Sequence, residues 1–248
     1  HFQRALALTE AGPGRPHTQE DEDLWVREVV SEVVKGGEVF LSECMDASQP
    51  VTAQPGRMVE FAKYAEVLPD SLVYGDSRYA ANVRFDDLNG DGQAEVILHT
   101  QAIRCDWGGL SVVYFQDSTR AWRGIPVWPC SVDHCPGTSL WIQRPAPILQ
   151  LLPQRDSQGR RFMLIAGKYS GADAWHEVLT VWRWDHEQAE PLWTADLNDW
   201  CGWPISWSVT TEGNILVSAE NATERCPEAR PQTLFALVND RFVVCSQA

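Results

Sequence analysis

Nowhere in its 248 residues does the chain carry a run of about 18 apolar residues, so no membrane-spanning helix is expected. Positive charge is scarce. Lys and Arg number 20 against 34 Asp and Glu, and the net charge of −14 argues against nucleic acid and anionic membrane surfaces as partners while permitting a basic protein. Familiar catalytic signatures are also missing: no Gly-x-Ser-x-Gly elbow, no His-Glu-x-x-His, no P-loop and no dinucleotide fingerprint. His176-Glu177 and Asp185-His186 are acid–imidazole neighbours, but adjacent residues of a strand point to opposite faces and are poorly built for joint proton transfer. The expectation is a protein that is not an enzyme. The chain opens at His1 on a charged stretch rich in Pro and Gly, with no signal peptide, which suits a mature or trimmed protein. An N-terminal His has the groups of an amine–imidazole copper site, but no matched second histidine accompanies it.

What the chain does have is enough apolar material, 44%, to bury a sizeable core, together with seven cysteines and twelve tryptophans. Cysteines at 44, 105, 130, 135, 201, 226 and 245 are many for a reducing compartment and place the protein in a periplasm or extracellular space. Cys130 and Cys135 bound a short turn-rich loop that a disulfide would close, and Cys201 with Cys226 flank a strand-rich segment; connectivity itself is not readable. An odd count leaves one thiol over, and Cys44, in a helical region, is the candidate. Zinc on Cys130, His134 and Cys135 is the weaker reading, because residues 134 and 135 point apart and Cys-x₂-Cys spacing is missing. Asn221-Ala222-Thr223 fits a glycosylation acceptor if the source glycosylates.

Three regions follow from the pattern. Residues 1–19, with Pro13, Pro16, Gly12 and Gly14, read as a flexible lead. Residues 20–70 read as a helical segment packed on the core. Asp21 or Asp23 caps a helix running through Leu24-Trp25-Val26 to Val33-Val34, which Gly36-Gly37 closes, and a second helix covers Met58 to Leu68. Residues 71–248 switch to period two, with short apolar runs separated by turns such as Asp156-Ser157-Gln158-Gly159 and Thr211-Glu212-Gly213-Asn214. The fold class is mostly β, an antiparallel propeller-like, sandwich or barrel domain with a short helical N-terminal segment.

The densest chemistry lies in Phe85-Asp-Asp-Leu-Asn-Gly-Asp-Gly-Gln-Ala-Glu-Val-Ile-Leu98. Asp87, Asn89, Asp91 and Glu95 put side-chain oxygens at loop positions 1, 3, 5 and 9, and the Gln93 carbonyl can fill position 7. Hard oxygen donors in that number suit Ca²⁺. An EF-hand would need Glu at position 12 and a following helix, whereas position 12 is Leu98 in a β-type run. This strand–loop–strand form resembles the calcium loops of FG-GAP and VCBS-type repeats, Asp-x-Asn-x-Asp-Gly-x-x-Glu, which sit between strands of β-propellers and related folds. The resemblance covers residues 85–98. It implies a calcium-stabilised β-scaffold. Periplasmic inhibitors and immunity proteins that block cell-wall hydrolases are similar in loop type, size, acidity and cysteine content, and the function expected is accordingly binding, as an inhibitor or immunity protein for an envelope hydrolase.

Trp182 and Trp184 share one strand face with His186, opposite Leu179 and Val181. An exposed aromatic face there would make the chain a carbohydrate-binding module, the alternative function. A hydrolase with a site assembled from distant residues is the third reading.

Overall fold

The computed structural model describes residues 1–11, 19–45, 82–99, 111–127, 148–171, 174–185, 188–197, 205–219 and 232–247. Among these residues two helices, α1 (Phe2–Ala11) and α2 (Gln19–Cys44), precede twelve strands: β1 (Asn82–Asp86), β2 (Glu95–His99), β3 (Ser111–Gln116), β4 (Trp122–Val127), β5 (Ile148–Arg155), β6 (Arg161–Gly171), β7 (Ala174–Asp185), β8 (Gln188–Asp196), β9 (Ile205–Val209), β10 (Ile215–Ala219), β11 (Gln232–Val238) and β12 (Arg241–Gln247). The protein is mostly β. Its strands form three antiparallel four-stranded sheets, each a meander of consecutive strands: β1 to β4, β5 to β8 and β9 to β12. The second helical candidate, Met58 to Leu68, lies outside the described residues.

The N-terminal region departs from its sequence pattern twice. Residues 2–11 are not a flexible lead but a helix, held to α2 by Ala5, which is fully buried, by an ion pair of Arg4 with Glu28 (3.0 Å) and by a hydrogen bond from Trp25 Nε1 to the Leu8 carbonyl (2.7 Å). His1 Nδ1 lies 2.7 Å from buried Glu32, so the terminal imidazole engages a carboxylate of α2. Helix α2 also runs through Gly36-Gly37 to Cys44. A Cβ on Gly36 would stand 2.9 Å from the Phe2 ring, and one on Gly37 2.2 Å from the Tyr114 hydroxyl. These glycines therefore serve close packing and not termination, and tertiary contact offsets the ~1 kcal/mol that glycine costs within a helix.

The sheets stack, and period two sorts the core into layers. On the first sheet, Val96, Leu98, Val112 and Tyr114 pack with Trp25, Val29, Val33 and Leu41 of α2. The Glu38 carboxylate accepts from the Gly124 amide (2.8 Å), tying α2 to β4. The opposite face sends Ile97, Val113 and Phe115 against Met163, Ile165, Trp182 and Trp184 of the second sheet. That sheet in turn presents Phe162, Leu164, Leu179 and Val181 to Ile215, Val217, Phe235 and Phe242 of the third. The order is thus helices, first sheet, second sheet, third sheet, with the first two sheets covered on both faces. Each fully buried large apolar side chain contributes roughly 1.5–3 kcal/mol to this arrangement.

Hairpin turns repeat one geometry. The β3–β4, β5–β6 and β9–β10 connections, at Asp117–Ala121, Asp156–Arg160 and Thr210–Asn214, each close with a bond from the first N–H to the fifth carbonyl and from the fourth N–H to the first carbonyl. The fourth residue has positive φ in all three: Arg120 (64°), Gly159 (83°) and Gly213 (84°). This is a type I turn followed by a left-handed residue. The β11–β12 hairpin instead uses Asn239-Asp240, both left-handed (50° and 60°), as a two-residue loop matched to the strand twist.

Candidate metal centre

The β1–β2 connection differs from these short turns. Strand pairing ends at Asp86 opposite Glu95, so the loop that carries the acidic motif spans residues 87–94. Gly90 (φ 82°) and Gly92 (φ 84°) take left-handed backbone that other residues rarely adopt. Side-chain oxygens then fold the loop onto itself. Asp87 accepts from Gly90 N–H (2.7 Å) and Gly92 N–H (3.1 Å), Asn89 Oδ1 from Asp91 N–H (2.9 Å), and Asp91 Oδ1 from Gln93 N–H (2.7 Å). The Asn89 amide also donates to Asp91 Oδ2 (3.1 Å). Asp91 and Gln93 are exposed at the tip, whereas Glu95, at the start of β2, is 4% exposed and accepts from Leu88 N–H at 2.7 Å.

Burial pushes the Glu95 carboxyl up to about 7, and the nearby carboxylates of Asp91 and Asp87 push in the same direction, against the bond from Leu88. Residues 87–95 contain no Lys or Arg. The ion pairs that reach this corner go to Asp86 instead: Arg155 at 3.6 Å and Arg161 at 2.9 Å, the latter with its N–H aimed off the oxygen. Among the described residues no group of three or more His, Cys, Asp or Glu side chains is placed to hold a metal ion. The donor chemistry nevertheless fits calcium: three carboxylates and an amide oxygen within nine residues, a carboxylate disfavoured as an anion first by its burial and then by its acidic neighbours, and glycines where the loop turns. A divalent cation is what this local field would stabilise.

The loop rests on the second sheet. Leu88, fully buried, joins the core between the first two sheets, and its carbonyl accepts from the Arg161 amide (2.8 Å). Arg155 Nη1 donates to the Asp87 carbonyl (3.1 Å). A Cβ on Gly90 would stand 2.9 Å from the Gln158 carbonyl. Asp86, Leu88, Arg155 and Arg161 were not readable as site residues, since the pairs are 68 or more positions apart; the only signal was an Arg on each side of the Asp156-Ser157-Gln158-Gly159 turn.

The aromatic platform is overturned. Trp182 is 7% exposed and Trp184 fully buried, with the Trp184 ring edge-on to Phe115 at 5.5 Å between centroids. They do share a face, but it is the face covered by the first sheet. His186 lies outside the described residues, as do Cys130, His134, Cys135, Cys201, Asn221 and Cys226 and the side chains of His176, Glu177 and Asp185. Cys245 on β12 is an exposed free thiol; the side chain of Cys44 lies outside the described set. No helix among the described residues is long and apolar enough to cross a membrane.

No family model, curated protein or solved structure matches this chain.

Proposed function

We propose that this chain is a calcium-stabilised, extracytoplasmic binding protein whose β1–β2 loop holds Ca²⁺ through Asp87, Asn89, Asp91, Glu95 and the Gln93 carbonyl. The observation that carries the proposal is the uncompensated carboxylate set: Glu95 is buried beside Asp87 and Asp91, and no cationic side chain is supplied within the loop. Bound calcium would supply the missing positive charge and fix the loop. Three consecutive four-stranded meanders stacked face to face support a propeller-like scaffold. The β1–β2 loop joins the first two strands of its sheet, as the β5–β6 and β9–β10 turns do in theirs.

The partner is read from charge. A net charge of −14 speeds encounter with a basic surface and fits an inhibitor or immunity protein for a basic cell-envelope hydrolase. The carbohydrate reading has lost the surface that motivated it, because Trp182 and Trp184 are core residues. Calorimetric titration with calcium tests the metal: one ion per chain is expected, and no heat at millimolar calcium would end the reading. Inhibition and association rates against basic envelope hydrolases at two ionic strengths test the partner. Binding that slows in salt through its on-rate supports it, and turnover of a substrate by the pure protein refutes it.

A further inference from the structure

We infer that the β1–β2 loop is a calcium-operated latch between the first and second sheets, with Asp86, Arg155 and Arg161 as the positioning residues that couple metal binding to sheet docking. This rests on the calcium reading of the loop and goes beyond it, from a local stabiliser to control of an interface.

Ligand and docking residues alternate along one short segment. Asp86 reaches Arg155 and Arg161 of the second sheet; Asp87 carries a ligand carboxylate on its side chain while its carbonyl takes the Arg155 guanidinium. Leu88 places its side chain in the inter-sheet core and its carbonyl on the Arg161 amide. Asn89 is a ligand again, and Gly90 lies close against the backbone of the β5–β6 turn. Because the two sets are interleaved, the loop cannot settle around an ion without setting Asp86 and Leu88, and it cannot leave the second sheet without disturbing Asp87. Linkage makes the effect reciprocal: whatever favours docking tightens calcium binding by the same factor.

The latch predicts an effect opposite in sign to simple charge. Two guanidinium groups near a divalent cation repel it, so replacing either by a neutral side chain should tighten calcium binding if the arginines act only through the field. If they hold the loop in its binding shape, the same replacement weakens it. Calcium titration calorimetry on the wild-type chain, Arg155→Gln and Arg161→Gln reads the sign. The expected result is affinity lowered about fivefold or more in each variant, within the usual range of coupling between sites. Equal or tighter binding in the variants, with a normal wild-type titration, overturns the latch and leaves the calcium site standing. Absence of wild-type binding overturns both. Should a variant not fold, hydrogen exchange of the wild-type chain with and without calcium carries the test. Protection gained in β6 and β7 as well as in residues 85–98, with β9 to β12 unmoved, supports the latch, whereas gain confined to 85–98 overturns it.

Discussion

Two acidic turns meet at one corner of this protein, and they neutralise their charge differently. In the β5–β6 turn, Asp156 accepts from the Gln158 and Arg160 amides (2.9 Å each) and from Arg160 Nε at 2.6 Å, so the turn brings its own cation. Burial works to raise the Asp156 carboxyl, but the Arg160 bonds and charge and the Gln158 bond outweigh it and hold it below the usual carboxylate range. The β3–β4 turn does the same with Asp117, which Thr119, Arg123 and Ala121 hold low. In the β1–β2 loop, three carboxylates gather with no cationic side chain among them, and Glu95 moves the other way. Both self-contained turns put an arginine on the carboxylate in addition to backbone amides. The β1–β2 loop gives its carboxylates amide hydrogen bonds without an arginine, and there the proposed calcium would be the complement.

The comparison breaks most severely at Asp156. Its side chain is fully buried and Arg160 is 10% exposed, so Asp156→Ala removes the acceptor shared by the Arg160 guanidinium and two turn amides. Removing one partner of such a pair costs about 3–5 kcal/mol, and chemical denaturation should show that loss without any calcium present. A near-neutral result would mean that Arg160 escapes to water and that the turn is not self-contained.

Glu95 should give the next largest effect. Its native value of about 7 lies above the ordinary 4.5, so the native state binds the proton more tightly than the unfolded chain does. Its contribution is therefore fully present below pH 4.5 and is lost as pH rises through 7. For the metal-free protein the loss is roughly 3 kcal/mol, from the energy equivalent of the shift. Glu95→Gln should flatten that slope and raise metal-free stability at pH 8 while abolishing the calcium effect. A variant that is less stable under metal-free conditions would show that the carboxylate is already satisfied within the protein.

Calcium itself comes third. A site with a dissociation constant of about 10 μM adds roughly 2.7 kcal/mol at about 1 mM calcium by mass action on the native state. Melting curves with calcium and with chelator should separate for the wild-type chain and coincide for Asp87→Ala and Asp91→Ala. Coincident curves for the wild-type chain would reduce the loop to a polar turn.

How much of this was legible follows from what each residue must contact. The acidic motif is local, so its oxygens could be assigned to one loop by spacing alone, and the switch to period two at the strands pointed to a mostly β protein. The faces were harder. Trp182 and Trp184 were correctly set opposite Leu179 and Val181, yet a strand covered on both sides is apolar on both, as the run Phe162-Met163-Leu164-Ile165-Ala166 on the neighbouring strand announces. Gly36-Gly37 has the composition of a helix stop, and only the rings of Phe2 and Tyr114 show why the helix continues. The docking arginines depend on a contact between two sheets, which no local spacing encodes.

The smallest effect sharpens the same comparison at its third member. Arg120 occupies the left-handed position that Gly159 and Gly213 fill in the sister turns. A non-glycine residue there carries about 1–2 kcal/mol of backbone strain. Glycine relieves it but loses roughly 0.5–1 kcal/mol more conformational freedom on folding. On backbone terms alone the difference favours Arg120→Gly by roughly 0.5–1 kcal/mol, a shift that equilibrium denaturation can resolve against the reverse change, Gly213→Ala. There the strain returns and the new Cβ lands 2.5 Å from the Gln154 amide, so destabilisation is expected. If Arg120→Gly destabilises instead, the arginine side chain contributes more than its backbone costs, and the three turns are alike in hydrogen bonding but not in energy.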